Sequence, residues 1–373
     1  MNVNPVFFAP RLSKISTDPN DFFERWTKYS HKMSLVSNGT FTSINMVVRI
    51  QNSKHLSQET TQSNHINITL LDPTSKGFLR DYVNFWRILK SNNLFPNVVI
   101  AGDNYFGFLI PYLYRLISNS SFRIQISIHN SLKPIIWRKF NLKVYLKHIG
   151  LYIIVSLADS IRTVSNENRE YLVDIWRAPP FKIVVAPIPI VIPDLNPNDV
   201  EAFSIGFLGR MHPERGIEPW VRIIERYARD HQDIKVLIAG DGVMRNNFLL
   251  GLSKILPEKQ VVYLGSLPNS GLETFWQSCS VLLSTAEDES YGMAIREGVL
   301  NGRKIVAYSN SGTREIQKMF PGAIYLYSGE EEAIRRIDES FEKKLTRDEV
   351  ESFRHKQSEE NQRSLKSLVE SWL

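Results

Sequence analysis

Short apolar runs alternate along the chain with longer amphipathic segments, and each run reads as a buried strand closed off by polar or turn residues. In the first half the runs are Val6 to Ala9, Met46 to Ile50, Ile66 to Leu71, Asn97 to Ala101, Arg123 to Ile128 and Ile183 to Ala186. Between them apolar positions recur at helical spacing. Phe22, Phe23, Trp26 and Tyr29 follow the start signal Asp18 and Pro19; Phe78, Tyr82, Trp86 and Leu89 form a second stripe; Phe106 to Ile117 is a third, aromatic helix. The aromatics of the second stripe are expected in the core. The polar stretch Gln51 to Asn64 shows no period and is expected as a surface loop. In the second half Ser204 to Leu208, Val236 to Ala239, Val261 to Leu264, Val281 to Leu283, Lys304 to Tyr308 and Ala323 to Tyr327 read as strands, and the charged run Glu330 to Leu373 as helix. Repeated strand–helix alternation predicts an α/β chain with parallel, doubly wound sheets.

A chain of 373 residues exceeds one typical core, so two domains are expected. Four prolines from Pro187 to Pro197 make a stiff connection, which places the boundary there. The domains are then residues 1–190 and 191–345, with 346–373 as a C-terminal helix. The single cysteine, Cys279, excludes an internal disulfide, fits a reducing compartment and sits beside an apolar strand as an inert thiol. The longest apolar run, Ile149 to Ala158, is about half of what a bilayer span needs. No basic region precedes the apolar patch of the N-terminus, so no secretory signal is expected, and the sequons at Asn38, Asn67 and Asn119 read as coincidental.

Charge adds a second asymmetry. Residues 1–190 hold 22 Lys and Arg against 11 Asp and Glu, while the whole chain carries only +6. A basic first half suits an anionic partner: a membrane surface or an acidic acceptor. Lys133 to Lys147 concentrates five basic residues without an acid among Trp137, Phe140 and Tyr145, a composition that can lie on an anionic bilayer. Nucleic acid is not expected, since no recognised module accompanies the charge.

The candidate chemistry lies in Ser280 to Ile316. Strand Val281 to Leu283 leads into an acidic loop, Glu287 to Glu289; Tyr291 and Gly292 open the helix Met293 to Leu300, which closes on Asn301 and Gly302 before the next strand. A loop at the carboxyl end of a parallel sheet is where such sheets bind ligands. The first N–H groups of the helix, at Gly292, Met293 and Ala294, can cradle a phosphate, and glycine permits close approach. Glu297, one turn into the helix, leans back toward its N-terminus, where its carboxylate can take both hydroxyls of a vicinal diol. Glu289 borders the same opening, seven residues separating it from Glu297.

This spacing and its surroundings resemble the Glu-x7-Glu motif of retaining, nucleotide-sugar-dependent glycosyltransferases of family 4, the glycosyl transferases group 1. The resemblance implies a GT-B fold: two Rossmann-like doubly wound α/β domains facing a cleft, the first presenting the acceptor and the second binding the nucleotide sugar. It implies that Glu289 borders the transferred sugar and Glu297 holds the donor ribose. F-S-I-G-F-L-G-R-M-H-P-E-R-G-I-E is similar to the family's Gly-Arg…Glu-Lys-Gly, which places Gly209, Arg210 and Arg215 on the donor diphosphate, with Arg215 where lysine is usual. Gly265, Ser266 and Leu267 fall where the family contacts the base, and His129, in I-S-I-H-N, falls against the donor sugar, so His129 and Glu289 are the catalytic candidates. The resemblance also implies that the last helix crosses back to the first domain.

Two departures fall on the acceptor side: the family's glycine pair after the first strand is replaced by A-P-R-L-S-K, Ala9 to Lys14, and its Asn-Gly-Val-Asp near the hinge by P-I-P-I-V-I. The expected activity is transfer of a sugar from a nucleoside diphosphate donor, with retention, to a glycan, lipid-linked or other anionic acceptor. No Asp-x-Asp motif occurs, so neither a catalytic metal nor a cofactor is implied; fixed positive groups stabilise the leaving diphosphate instead. A nucleotide-sugar epimerase and a catalytically inactive partner subunit are the alternatives. The expected location is cytoplasmic, peripheral on the inner membrane face.

Overall fold

The computed structural model describes residues 4–9, 19–37, 40–41, 43–48, 61–63, 66–71, 77–91, 94–101, 105–129, 131–132, 142–193, 203–268 and 271–373. The chain forms two compact units: Met1–Ile188 together with Gln362–Leu373, and Pro189–Asn361. Most of the basic stretch Lys133 to Lys147, the loop after Ala9 and the side chains of Phe22 and Phe23 lie outside the described residues.

The first unit runs β1 (Pro5–Ala9), α1 (Pro19–Val36), β2 (Ile44–Val48), β3 (Thr61–Ser63), β4 (Ile66–Leu70), α2 (Phe78–Ser91), β5 (Val98–Ala101), α3 (Tyr105–Ser118), β6 (Arg123–Ile128), α4 (Leu142–Leu157), β7 (Ser160–Thr163), α5 (Asn166–Asp174) and β8 (Ile183–Val185). The sheet order is β3-β4-β2-β1-β5-β6-β7-β8, parallel except for the β3–β4 pair. Strand side chains alternate between two faces. Val6, Phe8, Val99, Ala101, Ile124 and Ile126 enter one core with α2, α3, α4 and α5, while Met46, Val48, Ile66 and Ile100 enter another with α1. Burial on both faces is why these strands read as continuous apolar runs.

The sequence expectation is corrected at two places here. Thr61–Ser63, inside the stretch read as loop, is an antiparallel edge strand; its three polar residues carry no apolar signal. In α2 the helix turns Phe85 into the core instead of Trp86, which is 40% exposed with the Lys90 ammonium 4.7 Å from its ring.

The second unit runs β9 (Ser204–Leu208), α6 (Ile217–Asp230), β10 (Lys235–Ala239), α7 (Arg245–Ser253), β11 (Val261–Gly265), α8 (Leu272–Ser278), β12 (Val281–Ser284), α9 (Met293–Leu300), β13 (Lys304–Tyr308), α10 (Ser311–Met319), β14 (Ile324–Tyr327), α11 (Glu330–Glu342) and the start of α12 (Arg347–Glu370). The charged C-terminal run is thus two helices. Its sheet, all parallel, has the order β11-β10-β9-β12-β13-β14. Trp220, Ile224 and Tyr227 of α6, Phe248 of α7 and Ile337 of α11 pack on Ile205, Phe207, Val236, Ile238 and Leu283. Cys279 is buried, and desolvation pushes its thiol up to about 12. The last turns of α12 belong to the first unit: Leu365, Leu368, Val369 and Trp372 complete its α1-side core, and Trp372 Nε1 donates to Gln125 Oε1 at 2.9 Å. Among the described residues no helix is long and apolar enough to cross a membrane.

Candidate active site

In the second unit the chain winds outward from β9 to β11 and, in the opposite direction, from β12 to β14. β9 and β12 are neighbours where the winding reverses, so the loops leaving their carboxyl ends, 209–216 and 285–292, meet there. Three contacts fasten these loops together. Thr285 Oγ1 donates toward the carbonyls of Arg215 and Gly216, at 3.0 and 2.8 Å. Gly216 adopts φ 65°, and a Cβ there would stand 2.2 Å from the Thr285 carbonyl oxygen. Arg215 Nη1 lies 2.7 Å from Glu289 Oε2.

Glu289 is the junction of the site. Its other oxygen, Oε1, accepts the Gly292 N–H at 3.2 Å, so one carboxylate takes both the Arg215 charge and the first free N–H before α9. Gly292 caps α9 at φ 68°, a left-handed conformation that glycine adopts without cost. Asn310 holds the loop from the β13 side: its Oδ1 accepts the Thr313 N–H as the cap of α10, and its Nδ2 donates to the Ala286 carbonyl at 3.2 Å. Leu208, Arg215, Ser284, Ala286, Glu289 and Ala294 line one pocket.

The other expected donor-binding residues do not line this pocket. Gly209 and Arg210 directly follow Leu208, and the exposed Arg210 has Nη2 3.9 Å from Glu214 Oε2. Met293 is exposed in the first turn of α9; Glu297, half-buried one turn on, has its backbone carbonyl accepting from Asn301. Gly265, Ser266 and Leu267 lie at the carboxyl end of β11, the edge strand, where the Gly265 carbonyl accepts the Gly240 N–H at 2.7 Å. His129 belongs to the first unit, at the carboxyl end of β6. Desolvation, then the Arg162 charge, holds its imidazole down to about 3, so it is neutral at pH 7.

Sequence reasoning passed over Thr285, Asn310 and a buried support beneath the α9 turn. Arg296, 3% exposed, donates from Nε to the Tyr291 carbonyl and from Nη1 to Gln357 and Glu360 of α12, and its guanidinium stacks 4.1 Å from the Tyr291 ring. Burial raises the Tyr291 phenol, which donates to Glu360 at 3.0 Å. Asn310 was readable, since N-S-G-T is a cap signal before a helix. Thr285 and Arg296 leave no sequence signal.

The arginine, the carboxylate and the helix N-terminus thus meet at the switch point, the place where open parallel sheets bind ligands. Residues 193–362 match the family model of glycosyl transferases group 1. Over residues it shares with curated proteins, the chain is 25% identical to the phosphatidylinositol N-acetylglucosaminyltransferase GPI3 subunit of Saccharomyces cerevisiae, across 42% of this chain and 37% of that one. It is 30% identical to a GDP-mannose-dependent alpha-mannosyltransferase of Mycolicibacterium smegmatis, across 30% and 27%. The chain therefore spans well under half the length of these relatives. Among solved structures it resembles a lipopolysaccharide outer core galactosyltransferase at 17% identity and TM-score 0.68, covering 99% of both chains. It also resembles a sucrose-phosphate synthase from Thermosynechococcus elongatus at 12% identity and TM-score 0.73, covering 99% and 97%. An Anabaena protein solved in complex with UDP-glucose matches at 12% identity and TM-score 0.68, covering 99% and 98%. The fold is the GT-B glycosyltransferase fold, two α/β units each built on a largely parallel sheet.

Proposed function

We propose that the protein moves a sugar from a nucleoside diphosphate donor, with retention of configuration and without a metal ion, to a glycan, lipid-linked or other anionic acceptor. The observation that carries this reading is the meeting of Arg215, Glu289 and the α9 N-terminus at the switch point of the second sheet. Arg215 and the N–H groups of Met293 and Ala294, joined by that of Gly292 when the Glu289 carboxylate gives it up, supply positive charge to the diphosphate as it leaves, with Arg210 on the rim. Glu297 takes the ribose diol. Glu289 borders the transferred sugar, and a diphosphate reaching Arg215 competes with this carboxylate for it. Gly209 allows the backbone to approach the phosphates, and Gly265 to Leu267 receive the base. His129 meets the sugar as a neutral imidazole, able to accept or donate one hydrogen bond without bringing charge.

The acceptor reading rests on the basic balance of residues 1–190, and places the enzyme peripherally on the cytoplasmic membrane face. A thermal-melt panel with UDP, GDP, ADP and TDP in EDTA tests the donor assignment. A matching nucleotide at about a hundred times its Kd adds roughly 2.7 kcal/mol, and no shift with any of the four overturns it.

A further inference from the structure

We infer that the outer surface of the α2, α3 and α4 layer of the first unit docks on an anionic lipid bilayer. The inference sharpens the peripheral-membrane part of the proposed function and is independent of the donor site. A surface helix normally buries one apolar stripe and turns a polar face to water. α4 does not. Ile154, Val155 and Ala158 are buried against the sheet with Leu151 beside them, yet the opposite side carries Tyr145, Leu146, Ile149, Tyr152, Ile153 and Leu157 at helical spacing, all exposed and Leu146 by 58%. This run was read from sequence as too short to span a bilayer. In the fold it is a helix with a second, uncovered apolar face.

The neighbours extend that face. α3 packs between α2 and α4 on the same side of the sheet. α2 exposes Leu79, Val83 and Trp86, spaced i, i+4 and i+7, and the end of α3 exposes Leu116 and Ile117. Soluble monomers rarely expose so broad an apolar area without an occupant.

Charge selects the occupant. The exposed charges described on this layer are Arg80, Arg87 and Lys90 of α2; Arg115 is paired with Asp159, the sequence of α4 adds Lys143 and Lys147, and the one acid of the three helices, Asp81, is buried. A second copy meeting this face about a two-fold axis would set like charge against like. An anionic bilayer matches both properties: its headgroups attract the basic residues, and its hydrocarbon boundary takes apolar side chains without asking for hydrogen-bond partners. Trp86, Tyr145 and Tyr152 are the residue types that settle at that boundary.

The test is co-sedimentation of the full chain with vesicles of phosphatidylcholine alone and with about one-third phosphatidylglycerol. The parent is expected to bind the anionic vesicles and to be released by high salt. Leu146→Glu/Ile153→Glu replaces two exposed side chains; it is expected to keep the melting temperature and nucleotide response of the parent while binding anionic vesicles at least about tenfold more weakly. Arg87→Glu/Lys90→Glu is expected to lose binding at low salt. Equal binding to neutral and anionic vesicles, or undiminished binding by the apolar variant, overturns the inference. So does a dimer in ultracentrifugation that the apolar variant converts to monomer with vesicle binding unchanged, which would assign the face to a second copy. Because nucleotide response is read separately, failure of docking and failure of the donor reading give different results.

Discussion

The guanidinium of Arg296 meets the carboxylate of Glu360 at 2.8 Å, directly below the turn that opens α9. Arg296 is the residue before Glu297, and its Nε holds the Tyr291 carbonyl immediately before Gly292. One buried cation therefore fixes both ends of the segment that presents the α9 N–H groups and the Glu297 side chain. Arg296→Ala would leave Glu360 with the Tyr291 hydroxyl and the Gln357 amide but without its cation. The expected loss is about 3 kcal/mol of stability, read by urea unfolding. Glu360→Gln keeps a hydrogen-bond acceptor for Arg296 and should cost less, while weakening nucleotide binding if the turn loosens. A Glu360→Gln variant as unstable as Arg296→Ala would show that charge, not hydrogen bonding, holds the turn.

The two glutamates should part company. Glu297→Ala is expected to weaken nucleoside diphosphate binding by about 1–3 kcal/mol, leaving a diol without its acceptor. Glu289→Gln removes the negative charge that occupies Arg215, so diphosphate affinity should hold or rise while turnover falls. Calorimetric titration of both variants with the responding nucleotide decides it; a parallel loss of affinity in both would mean that Glu289 and Glu297 act on the same ligand group.

Gly216→Ala tests the seam between the β9 and β12 loops. Both the left-handed backbone and the 2.2 Å approach to the Thr285 carbonyl oppose a methyl group, so a loss of about 1–3 kcal/mol is expected. Thermal unfolding measures it, and an unchanged melting temperature would show that the loops are free to separate.

His129 gives a pH dependence of defined sign. Its folded value of about 3 lies below the roughly 6.5 of an unfolded histidine. Above pH about 6.5 both states are neutral and nothing is lost. As pH falls from there toward 3, the unfolded chain binds a proton that the folded chain refuses, and stability declines. His129→Gln should flatten that acid limb in melting curves taken between pH 7 and 5. A limb of unchanged slope would assign the proton uptake to another group.

The sheets were legible in the sequence because strands buried on both faces leave unbroken apolar runs. Arg123 to Ile128, Ser204 to Leu208 and Lys304 to Tyr308 begin and end in the structure where the sequence places them. Thr61–Ser63 was illegible for the opposite reason: backbone pairing with β4 makes it a strand, and its side chains record nothing of that. Helix faces were legible to within one position. Phe85 and Trp86 are adjacent aromatics, and periodicity alone does not decide which of two neighbours turns inward. In the candidate site, the α9 segment could be read from its turn and helix signals, whereas the Arg215–Glu289 contact joins residues 74 apart in sequence and exists only because β9 and β12 are neighbours. Arg296 is not marked by its local sequence; its burial depends on α12, which no local pattern announces.

The path of α12 has a consequence for synthesis. Leu365, Leu368, Val369 and Trp372 cover the α1-side face of the first unit's sheet, and Trp372 is bonded to Gln125. A ribosome delivers residues 1–188 before the second unit, yet Ile66, Ile68 and Ile100 on that face wait for residues 362–373. The second unit, complete at Asn361, can close earlier. The first unit is thus completed only after the second, and through the intervening elongation it carries an open apolar surface of the kind that chaperones bind.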